Sequence, residues 1–160
     1  MPVTSLPNGG HRSTMSSADA IERGSSCMSD LEHARLMLQL AQDDLTALEE
    51  LRTSQRISPA IFGFHAQQAV EKALKAWLSL LGALYPWRHE LGELFDLLEG
   101  QGATTASDFR HLQNLTPFGV QFRYEAFTNF DEDLDRDEVI QQVRDLITYV
   151  KALIPGTEGG

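Results

Sequence analysis

The segment Phe64-His65-Ala66-Gln67-Gln68-Ala69-Val70-Glu71-Lys72-Ala73-Leu74-Lys75-Ala76 holds the densest set of side chains able to do chemistry. On an α-helix, at about 100° per residue, His65, Gln68, Lys72, Lys75 and Ser79 fall on one polar stripe. Two of the chain's three lysines stand there. Two ammonium groups beside an imidazole and an amide could hold a phosphate or a nucleotide edge. A solvated helix flank, with Glu71 and Lys75 as an ordinary i,i+4 pair, explains the same residues, and helix physics alone favours it. His89 follows Pro86-Trp87-Arg88 and opens a further helix, where an N-terminus suits anion contact; a capping or loop-packing histidine is the plainer reading. Arg123-Tyr124 lies among Phe118, Phe122, Phe127 and Phe130. Its guanidinium could grip a phosphate bidentately, or anchor the core edge on carbonyls or Glu125.

Other chemistries lack their residues. His33, His65, His89 and His111 show no i,i+4 pairing and no HExxH, so no metal site is expected. The acidic run Asp131, Glu132, Asp133, Asp135, Asp137 and Glu138 has neither the glycine nor the final glutamate spacing of a calcium loop. It is better explained by the preference of acids for helix N-termini. There is no phosphate-binding glycine loop, dinucleotide fingerprint or GxSxG elbow, and no cofactor is implied. The single cysteine, Cys27, excludes an intramolecular disulfide and suits a reducing, cytoplasmic setting.

The elements that must position these residues read as helices. Leu31, Ala34, Leu38, Ala41, Leu45 and Leu48 form one helical seam, with Ser29 or Asp30 as its cap and Asp43, Asp44, Glu49 and Glu50 on the solvent side. Ser58-Pro59 announces a second helix whose apolar face is Phe62, Ala66, Ala69, Ala73, Trp77 and Leu80. Leu91, Leu94, Phe95 and Leu98 mark a third, ending at Gly100. A short helix follows over DFRHLQNL, capped by Ser107 and stopped by Pro117. The last begins at Asp135 with Glu138 in a capping-box spacing, and its seam is Val139, Val143, Leu146, Val150 and Leu153. Phe118, Val120, Phe122 and Tyr124 alternate as in a strand, but a lone strand has no partner, so an irregular connection or a short helix is expected. Three long and two short helices predict an all-α, up-and-down bundle.

Of 160 residues, 13 are Lys or Arg and 23 Asp or Glu, a net charge of −10. That balance disfavours indiscriminate duplex binding while allowing one local basic site. No apolar run approaches the roughly 20 residues of a membrane span, so no membrane association is expected. Residues 1–28 are rich in Ser, Gly and Pro and are expected to be a disordered leader, 29–154 the folded bundle and 155–160 a disordered tail.

The FGFHAQQAVEKALKAWLSLLG segment, then PWRHEL, then FRYE, resembles the HEPN domain (higher eukaryotes and prokaryotes nucleotide-binding), in its small stand-alone prokaryotic branch. The resemblance spans about Asp30 to Ile154. It implies a four- or five-helix bundle, commonly a homodimer, that associates with nucleotide or single-stranded RNA. It also implies a small nucleotidyltransferase as partner in a toxin–antitoxin pair. On this resemblance the ligand-binding residues are His65, Gln68, Lys72, Lys75, His89, Arg123 and Tyr124. Catalytic relatives cut RNA without metal, using an arginine, four to six residues, then a histidine. From Arg123 that histidine would stand where Thr128, Asn129 and Phe130 are found, and no Arg–His pair in the chain has the spacing. The expectation is therefore a binding module. The alternatives are an RNA endonuclease with a rearranged site drawn from Arg123, His65 and His89, and a purely structural interaction bundle.

Overall fold

The structure, a computed structural model, describes residues 17–121 and 134–156, with side chains from 29 to 119 and from 134 onward. The chain folds as α1 (Ser17–Leu51), α2 (Pro59–Leu80), α3 (Leu91–Gly100), a 3-10 helix (Thr104–Leu115), α4 (Thr116–Gln121) and α5 (Arg136–Leu153). Among the described residues there is no strand, and the fold is the expected all-α bundle.

Local chemistry sets most helix ends. Ser58 caps α2, its Oγ accepting from the Ile61 amide at 3.3 Å, with Pro59 at the first helical position. Asp135 caps α5 by accepting from the Glu138 amide at 3.1 Å. The helices α2 and α3 stop alike, each in a Schellman turn with glycine in the left-handed region. Gly82 has φ 66° and the Ala83 amide donates to the Leu78 carbonyl at 3.0 Å. Gly102 has φ 84° and the Ala103 amide donates to the Leu98 carbonyl at 3.0 Å.

Four local expectations are corrected. The backbone of α1 is helical from Ser17, so Ser29 and Asp30 lie inside it rather than capping it. Ser107 donates to the Thr104 carbonyl inside the 3-10 helix instead of capping a helix. Pro117 sits in the first turn of α4, where its missing N–H leaves no bond unmade, and so begins a helix rather than ending one. Leu153 is exposed, and Ile154 completes the α5 seam. Of the alternating stretch, residues 116–121 form α4 and Phe122 and Tyr124 lie outside the described residues.

Helix α2 packs against every other element. Its alanines Ala66, Ala69, Ala73 and Ala76 are fully buried, which brings α1 close, and Trp77 joins Tyr149 of α5 at 4.9 Å between ring centres. Gly63 and Gly119 let α4 lie on α2: a Cβ on Gly63 would overlap the Phe118 ring, and one on Gly119 would overlap the Gln67 amide. Arg136, the first residue of α5, donates to the carbonyls of Leu51 (2.7 Å), Ser54 (2.9 Å) and Ile57 (2.7 Å). Its guanidinium also stacks 5.0 Å from the Phe62 ring centre. One side chain thus satisfies the end of α1 and the turn into α2.

Arg136→Ala should lower stability by about 2–3 kcal/mol, read as a fall in urea midpoint at unchanged slope, with Arg136→Lys recovering only part. Gly63→Ala should destabilise by roughly 1–2 kcal/mol in the same assay, because overlap with Phe118 outweighs the gain in helix propensity.

A buried ionic cluster on the second helix as candidate functional site

Close packing of neighbouring elements on α2, among them α4 over Gln67 and the α2–α3 connection at Glu71, buries residues beside the alanine face as well as on it. Gln67 is wholly buried, and Glu71 is 4% exposed. A carboxylate so placed needs donors, since an unpaired buried charge costs several kcal/mol. Glu71 has three. Lys75 Nζ lies 2.6 Å from Oε1, Gln67 Nε2 2.8 Å from Oε2, and His89 Nδ1 3.1 and 3.0 Å from the two oxygens. Burial pushes the Glu71 carboxyl up, but hydrogen bonds from Lys75, Gln67 and His89, with the Lys75 charge, outweigh it and hold it below its ordinary value.

A second pair forms beside the first. Asp44 of α1 meets His65 Nδ1 at 3.0 Å through one oxygen and Lys72 Nζ at 2.5 Å through the other. Gln68 links toward the first pair, its Nε2 donating to Gln67 Oε1 at 2.8 Å. The connection from α2 to α3 is tied in at both ends. Tyr85 Oη meets His33 Nε2 of α1 at 2.6 Å, and its ring lies 5.6 Å under Lys75 Nζ. His89 is followed by Glu90 and the start of α3, where Thr116 Oγ1 accepts from the Leu91 amide at 3.2 Å.

His65 and Lys72 are thus gathered on Asp44, and Gln68, Lys75 and His89 into the neighbouring network around Glu71. Ser79 joins neither: its hydroxyl donates to the Lys75 carbonyl one turn back. Arg123 and Tyr124 lie outside the described residues. Arg88 faces solvent, 3.5 Å from Glu93. Both stripe lysines are engaged by carboxylates, so the stripe carries no bare positive charge. Among the described residues no group of three or more His, Cys, Asp or Glu side chains could hold a metal ion.

The seam pattern of α1 puts Asp44 on the solvent side, whereas its side chain is 12% exposed. It sits three residues after Ala41 and four before Leu48, on the flank of the seam, and the small residues of α2 let that flank close. Spacing gives Gln67 and Tyr85 no role, weighs His33 only as a metal ligand, and makes Glu71 only an i,i+4 partner for Lys75. The signal available was position: Gln67 and Glu71 are i,i+4 neighbours set among buried alanines.

The imidazoles of His65 and His89 each turn Nδ1 to a carboxylate, leaving Nε2 without a hydrogen-bond partner among the described residues. In the neutral ring Nδ1–H donates to the acid and Nε2 accepts; in the protonated ring Nε2–H donates. The cluster can therefore hold an imidazole in one tautomer and exchange a proton or hydrogen bond at its outer nitrogen.

Because the Glu71 carboxyl is lowered in the folded state, it stabilises the fold above the ordinary value of 4.5, and that contribution is lost as pH falls through its folded value. Glu71→Gln should flatten the acid limb of urea midpoint against pH. At neutral pH it should destabilise by about 3–5 kcal/mol, because Lys75 is left unpaired; Glu71→Gln with Lys75→Met should be markedly milder.

Three argininosuccinate lyases of Streptococcus pneumoniae, from strains Hungary19A-6, JJA and D39 (NCTC 7466), are each 28% identical over 137 residues, 81% of this chain and 30% of the relative. The chain therefore spans less than a third of the length of these curated relatives. No solved structure matches the chain. The family model described as HEPN domain matches residues 34–153, from the buried seam of α1 through α2 and its cluster to the end of α5. With three quarters of its length matched, the chain belongs to the HEPN domain family.

Proposed function

We propose that this HEPN-domain chain is a nucleotide- or RNA-binding module whose ligand lies along the open edge of the α2 cluster. His65, Gln68, Lys72, Lys75 and His89 make the contacts, with Arg123 and Tyr124 as further ones. Family membership supports the ligand class. The observation that carries the site is the pair of imidazoles, each steadied at Nδ1 by a largely buried carboxylate and open at Nε2. A merely solvated flank does not require acids buried to this degree, and such groups concentrate at functional sites. The outer nitrogens and the Gln68 amide suit base edges, ribose hydroxyls and phosphate oxygens.

The same imidazoles favour a second reading, metal-independent RNA cleavage. One Nε2 would take the 2′-hydroxyl proton and the other would protonate the leaving oxygen. We further propose, on the resemblance of its motifs alone, a homodimer working with a small nucleotidyltransferase in a toxin–antitoxin pair.

Fluorescence anisotropy with labelled single-stranded RNA, and equilibrium dialysis with ATP, test the binding reading. His65→Ala with Gln68→Ala, which spares the Glu71–Lys75 pair, should weaken binding about tenfold while circular dichroism stays native. Unchanged binding by that folded variant would remove the site. RNA cleavage in EDTA that disappears in His65→Ala and His89→Ala would establish the second reading in its place.

A further inference from the structure

The connection between α2 and α3 displays one side chain that nothing in the described structure uses. Trp87 is 97% exposed, and Leu84, three residues before it, is 94% exposed. A tryptophan left in water forgoes the burial energy that makes it a core residue, as its counterpart Trp77 shows at 3% exposure. The backbone on either side is not loose. The Gly82 turn, the Tyr85 hydroxyl on His33 and the His89 ring on Glu71 fasten the segment before and after Trp87. A platform fixed this way loses little conformational freedom when a ligand settles on it.

The surroundings select the occupant. Trp87 and Leu84 together offer far less than the roughly 800 Å² per partner of a stable protein interface, and the residues after Trp87 are Arg88, His89 and Glu90 rather than an apolar rim. Arg88 is 73% exposed and its contact with Glu93, at 3.5 Å, joins two solvated groups, so an anion can take the guanidinium at little cost. An open indole face, then a loosely held guanidinium, then an imidazole at consecutive positions suit a ligand with both a flat ring and a phosphate.

We propose that Trp87 is a stacking platform for an unpaired nucleobase, with Arg88 contacting the phosphate of the same nucleotide. The inference rests on the nucleotide- or RNA-binding reading above and extends that site from the α2 cluster onto the α2–α3 connection. Stacking on an aromatic face is tolerant of base identity, so the platform gives affinity for single strands rather than sequence choice.

The test uses the full chain with a short fluorescein-labelled oligoadenylate RNA and an abasic oligomer of the same backbone. The expected result is that oligoadenylate, but not the abasic oligomer, quenches the exposed-indole emission and shields it from acrylamide. Trp87→Ala should weaken oligoadenylate binding by about tenfold, and Trp87→Phe should keep most of it. In Trp87→Phe the remaining Trp77 signal should not respond to RNA. Binding at wild-type affinity by Trp87→Ala, with the indole unquenched, overturns the platform and leaves RNA binding at the α2 cluster standing. No RNA binding by the wild-type chain overturns both. Shielding of Trp87 that grows with protein concentration without RNA, alongside a doubled mass in sedimentation, overturns the platform by assigning the indole to a second copy of the chain.

Discussion

The requirement to neutralise the Glu71 carboxylate organises the functional half of this molecule. A charge buried this deeply on an alanine-lined helix has only close protein donors to replace water. Two come from its own helix, one turn before and one turn after. The third, His89, must be delivered from the connection that follows. That need fixes where the chain passes between α2 and α3, and it is met together with the Tyr85–His33 contact and the Schellman turn at Gly82. The exposure of Trp87 and the outward nitrogen of His89 both follow from this route.

Small residues make the burial possible. Ala66, Ala69, Ala73 and Ala76 draw α1 against α2, and Gly63 and Gly119 do the same for α4. With the helices so close, polar residues flanking the contact are trapped, and they persist only because each finds a partner. Asp44 serves His65 and Lys72 at once, and Gln67 serves Glu71 while receiving Gln68. Where α1, α2 and α5 meet, Arg136 does the corresponding work for backbone carbonyls. Tight packing and satisfied polar groups are two sides of one constraint here.

The electrostatics change the meaning of the lysine stripe. Lysines on an acidic chain look like an anion site, but these two are matched by Asp44 and Glu71, and the cluster presents imidazole nitrogens, an amide and ammonium groups already neutralised by acids. Such a surface recognises through directed hydrogen bonds more than through long-range attraction. That fits a chain with a net charge of −10 that is proposed to bind a single nucleotide or strand rather than a duplex.

Helical periodicity and capping are local, repeating every three or four residues, and so the seams of α1, α2, α3 and α5, the caps Ser58 and Asp135, the all-α class and the HEPN resemblance were legible in the residues themselves. The polar stripe of α2 was legible for the same reason. Its partners were not. Asp44 lies 28 residues from Lys72, His89 18 from Glu71, Tyr85 52 from His33 and Arg136 85 from Leu51. Whether a flanking acid faces water or a neighbouring helix depends on how closely two helices approach and in what register, and no single-helix pattern carries that information. The sequence by itself determined which side chains share a helix face. Only the tertiary structure decided that the lysines are answered by acids and that Trp87 is left facing water, because pairing and burial are properties of packed helices and not of one.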